Sequence, residues 1–267
     1  MKLPVALTIA GSDSGGGAGI QADLKTFAVL GVHGASALTA VTAQNTVTVS
    51  NILELPLELI RAQVDRVAED LEVAAAKTGM LSSAEIIETV AAALRENRIT
   101  LVVVDPVMVA KGGAQLLRED AVAALKQHLL PLASVLTPNL PEAEVLLGRP
   151  LKTLSERIEA ARELQSLGPR AVVVKGGHAD GEAVDVFFDG RTVRELTARR
   201  NPTLNTHGSG CAFSAAIAAG LARGLDLEEA VEKAKAFITL AIEHSLEIGR
   251  GHGPVNPAFD PTRTLRR

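Results

Sequence analysis

The chain has no tryptophan and no tyrosine, and aromatic residues make up only 2% of it. A planar ligand would therefore have to be held by Phe, aliphatic or Met contacts. With one cysteine, Cys211, an internal disulfide is excluded, and the six histidines show neither HExxH nor any clustered spacing. A structural zinc site is not expected, so any metal should sit on oxygen ligands. No apolar run approaches the roughly 18 residues that span a bilayer, and Met1-Lys2-Leu3-Pro4 leads into a strand pattern, not a signal peptide. A formal charge of −4 gives no reason to expect nucleic acid or an acidic membrane as partner. These absences predict a cytoplasmic protein that handles small molecules.

What is present is ordinary for a globular enzyme. Over 267 residues, 47% are hydrophobic and 22% charged, enough to bury a substantial core, and no repeat or linker divides residues 1–267 into more than one domain. Short apolar runs at Val5–Ala10, Ala35–Thr42, Leu101–Asp105, Ser134–Thr137 and Ala171–Lys175 read as buried strands. Between and after them, 3.6-residue periodicity predicts helices over Ile20–Leu30, Leu57–Leu71, Ser83–Glu96, Glu119–His128, Ser155–Leu167 and Ser209–Arg223. The alternation is that of a mostly parallel sheet between helices. Val184–Phe188 and Thr192–Leu196, joined around Asp189-Gly190, read as an appended β-hairpin, and the Gly- and Pro-rich tail Gly249–Arg267 as irregular.

In such sheets ligands bind beyond the carboxyl ends of the strands. The residues placed there are polar: Gly11 to Gly19, Gln44-Asn45, Asp105-Pro106, Thr137-Pro138-Asn139 and Lys175-Gly176-Gly177. The first glycine run fits neither the Walker phosphate loop nor the dinucleotide fingerprint GxGxxG. It is either a close backbone approach to a ligand or a tight turn. The nucleophile elbow GxSxG is also missing, because His207 stands two residues before Ser209.

Asn205-Thr206-His207-Gly208-Ser209-Gly210-Cys211 opens an apolar helix with a glycine-rich turn, a place where backbone N–H groups can cradle an anion. Cys211 there is either a base or nucleophile, its thiolate fraction raised by the helix terminus, or a small buried hydrophobe. Asn139 and Glu142 begin another helix, where Glu142 either holds water on Mg²⁺ or caps the helix. Lys175 either pairs with nucleotide phosphates or snorkels to the surface, and Asp105 either orients the reacting group or starts a turn. An anion cradle, a lysine, oxygen ligands and a weak base together are the equipment of phosphoryl transfer.

Four segments, Ala10–Asp23, Thr42–Thr46, Asp105–Met108 and Gly251–Asn256, join Asn139-x-x-Glu142, Lys-Gly-Gly-His at 175–178 and the Gly-Ser-Gly-Cys turn in a pattern. That pattern resembles the ribokinase-like superfamily, and within it the hydroxymethylpyrimidine/phosphomethylpyrimidine kinases, over essentially the whole chain. The resemblance implies a three-layer α/β/α sandwich and ATP- and Mg²⁺-dependent phosphorylation of 4-amino-5-hydroxymethyl-2-methylpyrimidine and then its monophosphate, in thiamine biosynthesis. It implies that Gln44 binds the pyrimidine, with Gly11, Asp23, Met80 and Val107 around it. Asp105, Asn139, Lys175 and Thr206 would bind the nucleotide, Glu142 the metal, and Gly208, Gly210, Cys211 and Lys175 would act on the transferred group. A homodimer is also implied. A pyridoxal kinase of the same fold and a non-catalytic pyrimidine sensor are the alternatives. Most ribokinase-like enzymes carry Asp where this chain has Cys211.

Overall fold

The computed structural model describes residues 3–109, 113, 116–118, 120–177 and 183–259. Glu119, at the start of one predicted helix, His178 and residues 260–267 of the tail lie outside them. The elements run β1 (Val5–Asp13), α1 (Gly19–Val29), β2 (His33–Gln44), β3 (Val49–Glu54), α2 (Leu57–Asp70), β4 (Val73–Thr78), α3 (Ala84–Glu96), β5 (Val102–Val104), α4 (Ala121–Ala124) and β6 (Val135–Leu136). They continue with α5 (Leu140–Leu147), α6 (Leu154–Ser166), β7 (Ala171–Val174), β8 (Ala183–Phe188), β9 (Val193–Ala198), α7 (Ser209–Ala222) and α8 (Leu227–Glu243).

Among the described residues, nine strands form one sheet in the order β3-β2-β1-β4-β5-β6-β7-β8-β9. Pairings from β2 through β7 are parallel, whereas β3, β8 and β9 join antiparallel at the two ends. The three-layer expectation is borne out. Along β1, Leu7 and Ile9 enter a core with α2, α3, α5 and α6, while Ala6 enters a second core with α1, α7 and α8. Strands buried on both faces explain the unbroken apolar runs that made them visible in the sequence.

Three elements were absent from the expectation. β3 is a half-exposed edge strand without a buried face, and β4, Val-Ala-Ala-Ala-Lys-Thr, lacks the β-branched run that marks a strand. Its alanines let α7, apolar all round its circumference, pack closely on β4. α8 carries regular apolar spacing at Ala230, Val231, Ala234, Phe237, Ile238 and Ala241 behind an Asp226 cap. The helix expected over 119–128 is irregular: after α4 it widens to a π turn over Leu125–Leu129, then tightens to a 3₁₀ turn over Leu130–Leu132 at Pro131. Among the described residues no helix is long and apolar enough to cross a membrane.

The chain leaves β1 towards β2 on one side and returns to β4 on the other. The carboxyl ends of β1 and β4 therefore flank a topological switch point, where an open α/β sheet forms its binding crevice. The far side of that edge is braced by Asp185 on β8. Its carboxylate accepts the Gly176 N–H at 2.8 Å and the Lys235 ammonium of α8 at 2.8 Å, and all three groups are largely buried. Asp185→Ala strands both donors and should lower the unfolding free energy by about 2–4 kcal/mol, measured by urea denaturation. A loss below 0.5 kcal/mol, roughly what a surface change costs, would show that the brace is ornamental.

Candidate active site

A cavity of about 490 Å³ opens at the carboxyl ends of β1, β2, β4, β5 and β7, a volume suited to a small ligand with a nucleotide tail. Gly11, Gln44, Met80, Asp105, Val107, Asn139, Glu142, Lys175, Thr206, Gly208, Gly210 and Cys211 all line it. Residues scattered over two hundred positions meet there because each terminates a strand or begins a helix at the same edge.

At its centre Lys175 Nζ lies 2.9 Å from Asp105 Oδ1. Asp105 ends β5, and its carboxylate also accepts from Thr137 Oγ1 at 3.3 Å and Ser214 Oγ at 3.3 Å. Lys175 follows β7, bridged to Asn139. Burial alone would lower the Lys175 ammonium, but the Asp105 and Glu142 carboxylates outweigh it and raise it. The ammonium stays charged. A Cβ at Gly210 would lie 3.3 Å from Lys175 Nζ, so the start of α7 comes down on the ion pair. Gly208, the N-cap of α7, has φ +76° and no side chain to cap the first turn; the Ser209 N–H donates to the Thr206 carbonyl at 3.2 Å, and the neighbouring amides of the turn are left for an anion.

Asn139 and Glu142 realise the capping alternative in full. Asn139 Oδ1 accepts from the Glu142 N–H at 2.9 Å, and Glu142 Oε2 accepts from the Asn139 N–H at 2.8 Å. The capping box aims Glu142 into the cavity, so capping and ligand binding are compatible. Burial, countered by Lys175 and reinforced by Asp105, pushes its carboxyl up to about 7. Carboxylate and amide oxygens at Asp105, Asn139 and Glu142 suit a hard divalent cation that completes its shell with phosphate and water oxygens. Among the described residues no group of three or more His, Cys, Asp or Glu forms a closed cage.

At Cys211 burial opposes the helix terminus. The residue keeps a partial opening to the cavity, yet burial pushes its thiol up to about 11; Lys77 pulls it down, while Asp23 and Asp105 hold it up. The helix terminus does not make a thiolate: at neutral pH the group is a thiol.

On the opposite wall, Gln44 ends β2. Its backbone N–H is held by Ser14 Oγ at 2.7 Å, and its side-chain Oε1 accepts from Thr42 Oγ1 at 3.2 Å. Gly11 and Met80 touch beside it: a Cβ on Gly11 would lie 3.0 Å from Met80 Cε.

Asp23 does not take the place expected of it. It is fully buried and stands behind the cavity wall, where Oδ2 accepts from Thr8 Oγ1 at 2.6 Å and Lys77 Nζ at 2.8 Å. Burial raises its carboxyl, and Asp23 and Asp105 together raise the Lys77 ammonium against burial. Lys77, not Asp23, lines the cavity. Reasoning from sequence missed Lys77 because β4 was not read as a strand. It also missed Asp13 and His207, whose only signal was their place inside two glycine-rich runs.

The profile of the phosphomethylpyrimidine kinase family matches residues 13–256. The chain belongs to the phosphomethylpyrimidine kinase family. It is accordingly an enzyme, a kinase. A hydroxymethylpyrimidine/phosphomethylpyrimidine kinase of Bacillus subtilis (strain 168) is 50% identical over 258 residues, which cover 96% of this chain and 95% of that protein. Among solved structures, a Bacillus subtilis pyridoxal kinase in an ADP complex superposes with TM-score 0.90 at 44% identity, covering 96% of this chain and 98% of that one. A phosphomethylpyrimidine kinase from Clostridium difficile 630 superposes with TM-score 0.80 at 43% identity, covering 90% and 100%.

In this family member the raised Glu142 carboxyl makes a stability signature. A folded-state value near 7, above the ordinary 4.5, means the native state binds more protons than the unfolded chain between those values. Stability contributed by Glu142 therefore falls as pH rises from about 4.5 to 7. Glu142→Gln keeps an acceptor for the Asn139 N–H and should flatten that slope, making the metal-free variant the more stable form at pH 8. Urea denaturation at pH 5 and pH 8 measures it, and parallel slopes for the two proteins would contradict the assignment.

Proposed function

We propose that the chain phosphorylates 4-amino-5-hydroxymethyl-2-methylpyrimidine and then its monophosphate, with ATP as donor and Mg²⁺ as counter-ion, in thiamine biosynthesis. The observation that carries this reading is one cavity with the Gln44 carboxamide on one wall and Lys175, Asp105, Glu142 and the uncapped amides of Gly208–Cys211 on the other. A carboxamide offers a donor and an acceptor side by side, matching the ring nitrogen and amine along an aminopyrimidine edge. Gly11, Met80 and Val107 form the apolar bed that a ring needs in a chain without Trp or Tyr.

In each transfer a substrate oxygen forms a bond to the γ-phosphorus of ATP while the bond to the bridging oxygen breaks and ADP leaves; in the first, the hydroxyl proton passes to water. Negative charge spreads over the equatorial oxygens. Lys175 and the amides of the Gly208–Cys211 turn receive that charge, Thr206 and Asn139 border the nucleotide phosphates, and Glu142 with Asp105 would hold Mg²⁺, which would supply further charge neutralisation. A neutral Cys211 suits both acceptors. The alcohol of the first step needs little help from a base in a loose transition state, and the largely ionised phosphate of the second meets no opposing charge.

One kinase domain acting as a homodimer belongs to the same reading. It is supported by Ile52 and Leu53 on the edge strand β3 and Leu57 and Leu59 at the start of α2, apolar side chains left exposed.

The similarity to pyridoxal kinases favours a second reading, phosphorylation of pyridoxal. A coupled ATP-turnover assay with the hydroxymethylpyrimidine, its monophosphate and pyridoxal, each with and without Mg²⁺, separates them. Mg²⁺-dependent turnover of both pyrimidines with little on pyridoxal is expected. Pyridoxal alone would transfer the chain to that branch, and tight pyrimidine binding without turnover would make it a sensor.

Position 211 divides the two steps. Cys211→Ala should slow the first transfer more than the second, whereas Cys211→Asp should penalise the second by about tenfold or more, since a carboxylate there opposes an anionic acceptor. Equal effects on both steps, read from single-turnover rates, would refute the account of the cysteine.

A further inference from the structure

We infer that His207 is a positioning residue whose ring, latched to Asp13, fixes the anion-cradling turn Gly208–Cys211 against the first glycine-rich loop. The inference rests on the proposed kinase reading. Asp13 ends β1, and its carboxylate is filled from one loop: Oδ1 accepts from the Gly15 N–H at 2.8 Å, and Oδ2 from Gly17 at 3.0 Å and Ala18 at 2.8 Å. The remaining partner comes from 194 residues away, His207 Nε2 at 3.0 Å from Oδ2. Both residues are buried. Against burial, the His207 hydrogen bond and the loop amides hold the Asp13 carboxyl below the usual range.

The histidine is itself fixed from behind. Its N–H donates to the Gly253 carbonyl at 3.1 Å and its carbonyl accepts from the Val255 N–H at 3.0 Å, so the tail segment clamps its backbone. The same segment reaches the far wall, where the His252 N–H donates to the Thr46 carbonyl at 3.0 Å, two residues beyond Gln44.

The fit between the two loops leaves no slack. A Cβ at Gly17 would lie 2.4 Å from His207 Cδ2, and one at Gly208 would lie 1.8 Å from the Gly17 carbonyl oxygen. Residues 17 and 208 are in backbone contact, and the His207 ring fills the corner between them. The Asp13–His207 contact ties the glycine loop to this turn through two side chains. Rotation of His207 would release Gly208, whose N–H begins the cradle facing Lys175. Gln44, Met80 and Val107, by contrast, stand on other elements and should keep the pyrimidine affinity.

The test compares His207→Ala and His207→Gln in steady-state kinetics with the hydroxymethylpyrimidine, with thermal unfolding on the same samples. The Ala variant should lose about tenfold to hundredfold in kcat, the scale of a misplaced catalytic group, while KM for the pyrimidine stays within about twofold. Gln can place an N–H near the position of Nε2 and should recover kcat to within about threefold of wild type. In an Asp13→Ala background, His207→Ala should add less than about twofold, because the two residues act as one unit. An unchanged kcat in the Ala variant, or a Gln variant as native as wild type in unfolding but as slow as Ala, would overturn the latch. Failure of wild-type protein to turn over the pyrimidine would refute the proposed function instead. Amide hydrogen exchange at Gly208–Cys211, faster in the Ala variant and not in the Gln variant, then decides the latch alone, and equal exchange would overturn it.

Discussion

The site depends on the ion pair between Lys175 and Asp105. Two carboxyl-bearing groups and the positive end of α7 converge on one largely buried wall, and none of them is tolerable there singly. Without Asp105, the ammonium would face the uncapped amides of α7 across a gap that Gly210 keeps small. Without Lys175, Asp105 and Glu142 would oppose each other in a buried wall, where burial first and Asp105 second already push the Glu142 carboxyl up to about 7. The pair is itself a consequence of the sheet. β5 and β7 flank β6 in parallel, so their last residues come level, and Asn139 after β6 bridges to Lys175 between them.

Much of this could be read from the chain because parallel strands announce themselves: they are apolar on both faces and end abruptly in a polar residue. Asp105, Thr137 and Lys175 are such ends, and the rule that ligands gather there needs no coordinates. The unread parts have physical reasons. β4 is made of alanines because α7 lies on it, and an alanine run signals no strand; Lys77, at its end, was invisible for the same cause. Asp23 sits in a motif that suggests ligand contact, yet its actual partners, Thr8 and Lys77, come from β1 and β4, and only the three-dimensional arrangement shows that they enclose it. Local spacing also could not decide between capping and ligand binding for Glu142, because the capping box is what turns the side chain towards the cavity.

The thiol at position 211 illustrates a conflict between two local rules. A helix N-terminus favours a thiolate; burial disfavours any charge. Burial wins here, with Asp23 and Asp105 retaining the proton against the pull of Lys77. The buried Lys77–Asp23 pair thus matters to Cys211 without touching substrate. It keeps a neutral group neutral by presenting no net charge to it.

That neutrality bears on what the cavity can hold. Counting formal charges at its wall, Lys77 and Lys175 are matched by Asp23 and Asp105, Asp13 adds a further carboxylate, and Glu142 titrates near neutrality. The protein therefore brings almost no net positive charge to a site meant, in the proposed reaction, for polyphosphate and a phosphorylated pyrimidine. Attraction has to come from oriented amides and from whatever cation Asp105 and Glu142 hold, and each such source is local and directional. A carboxylate at position 211 would tip the balance negative at the point where the second acceptor carries its own charge. A cysteine there leaves the sum unchanged for the alcohol and for the phosphate alike, which is the property one site needs to serve two acceptors in succession.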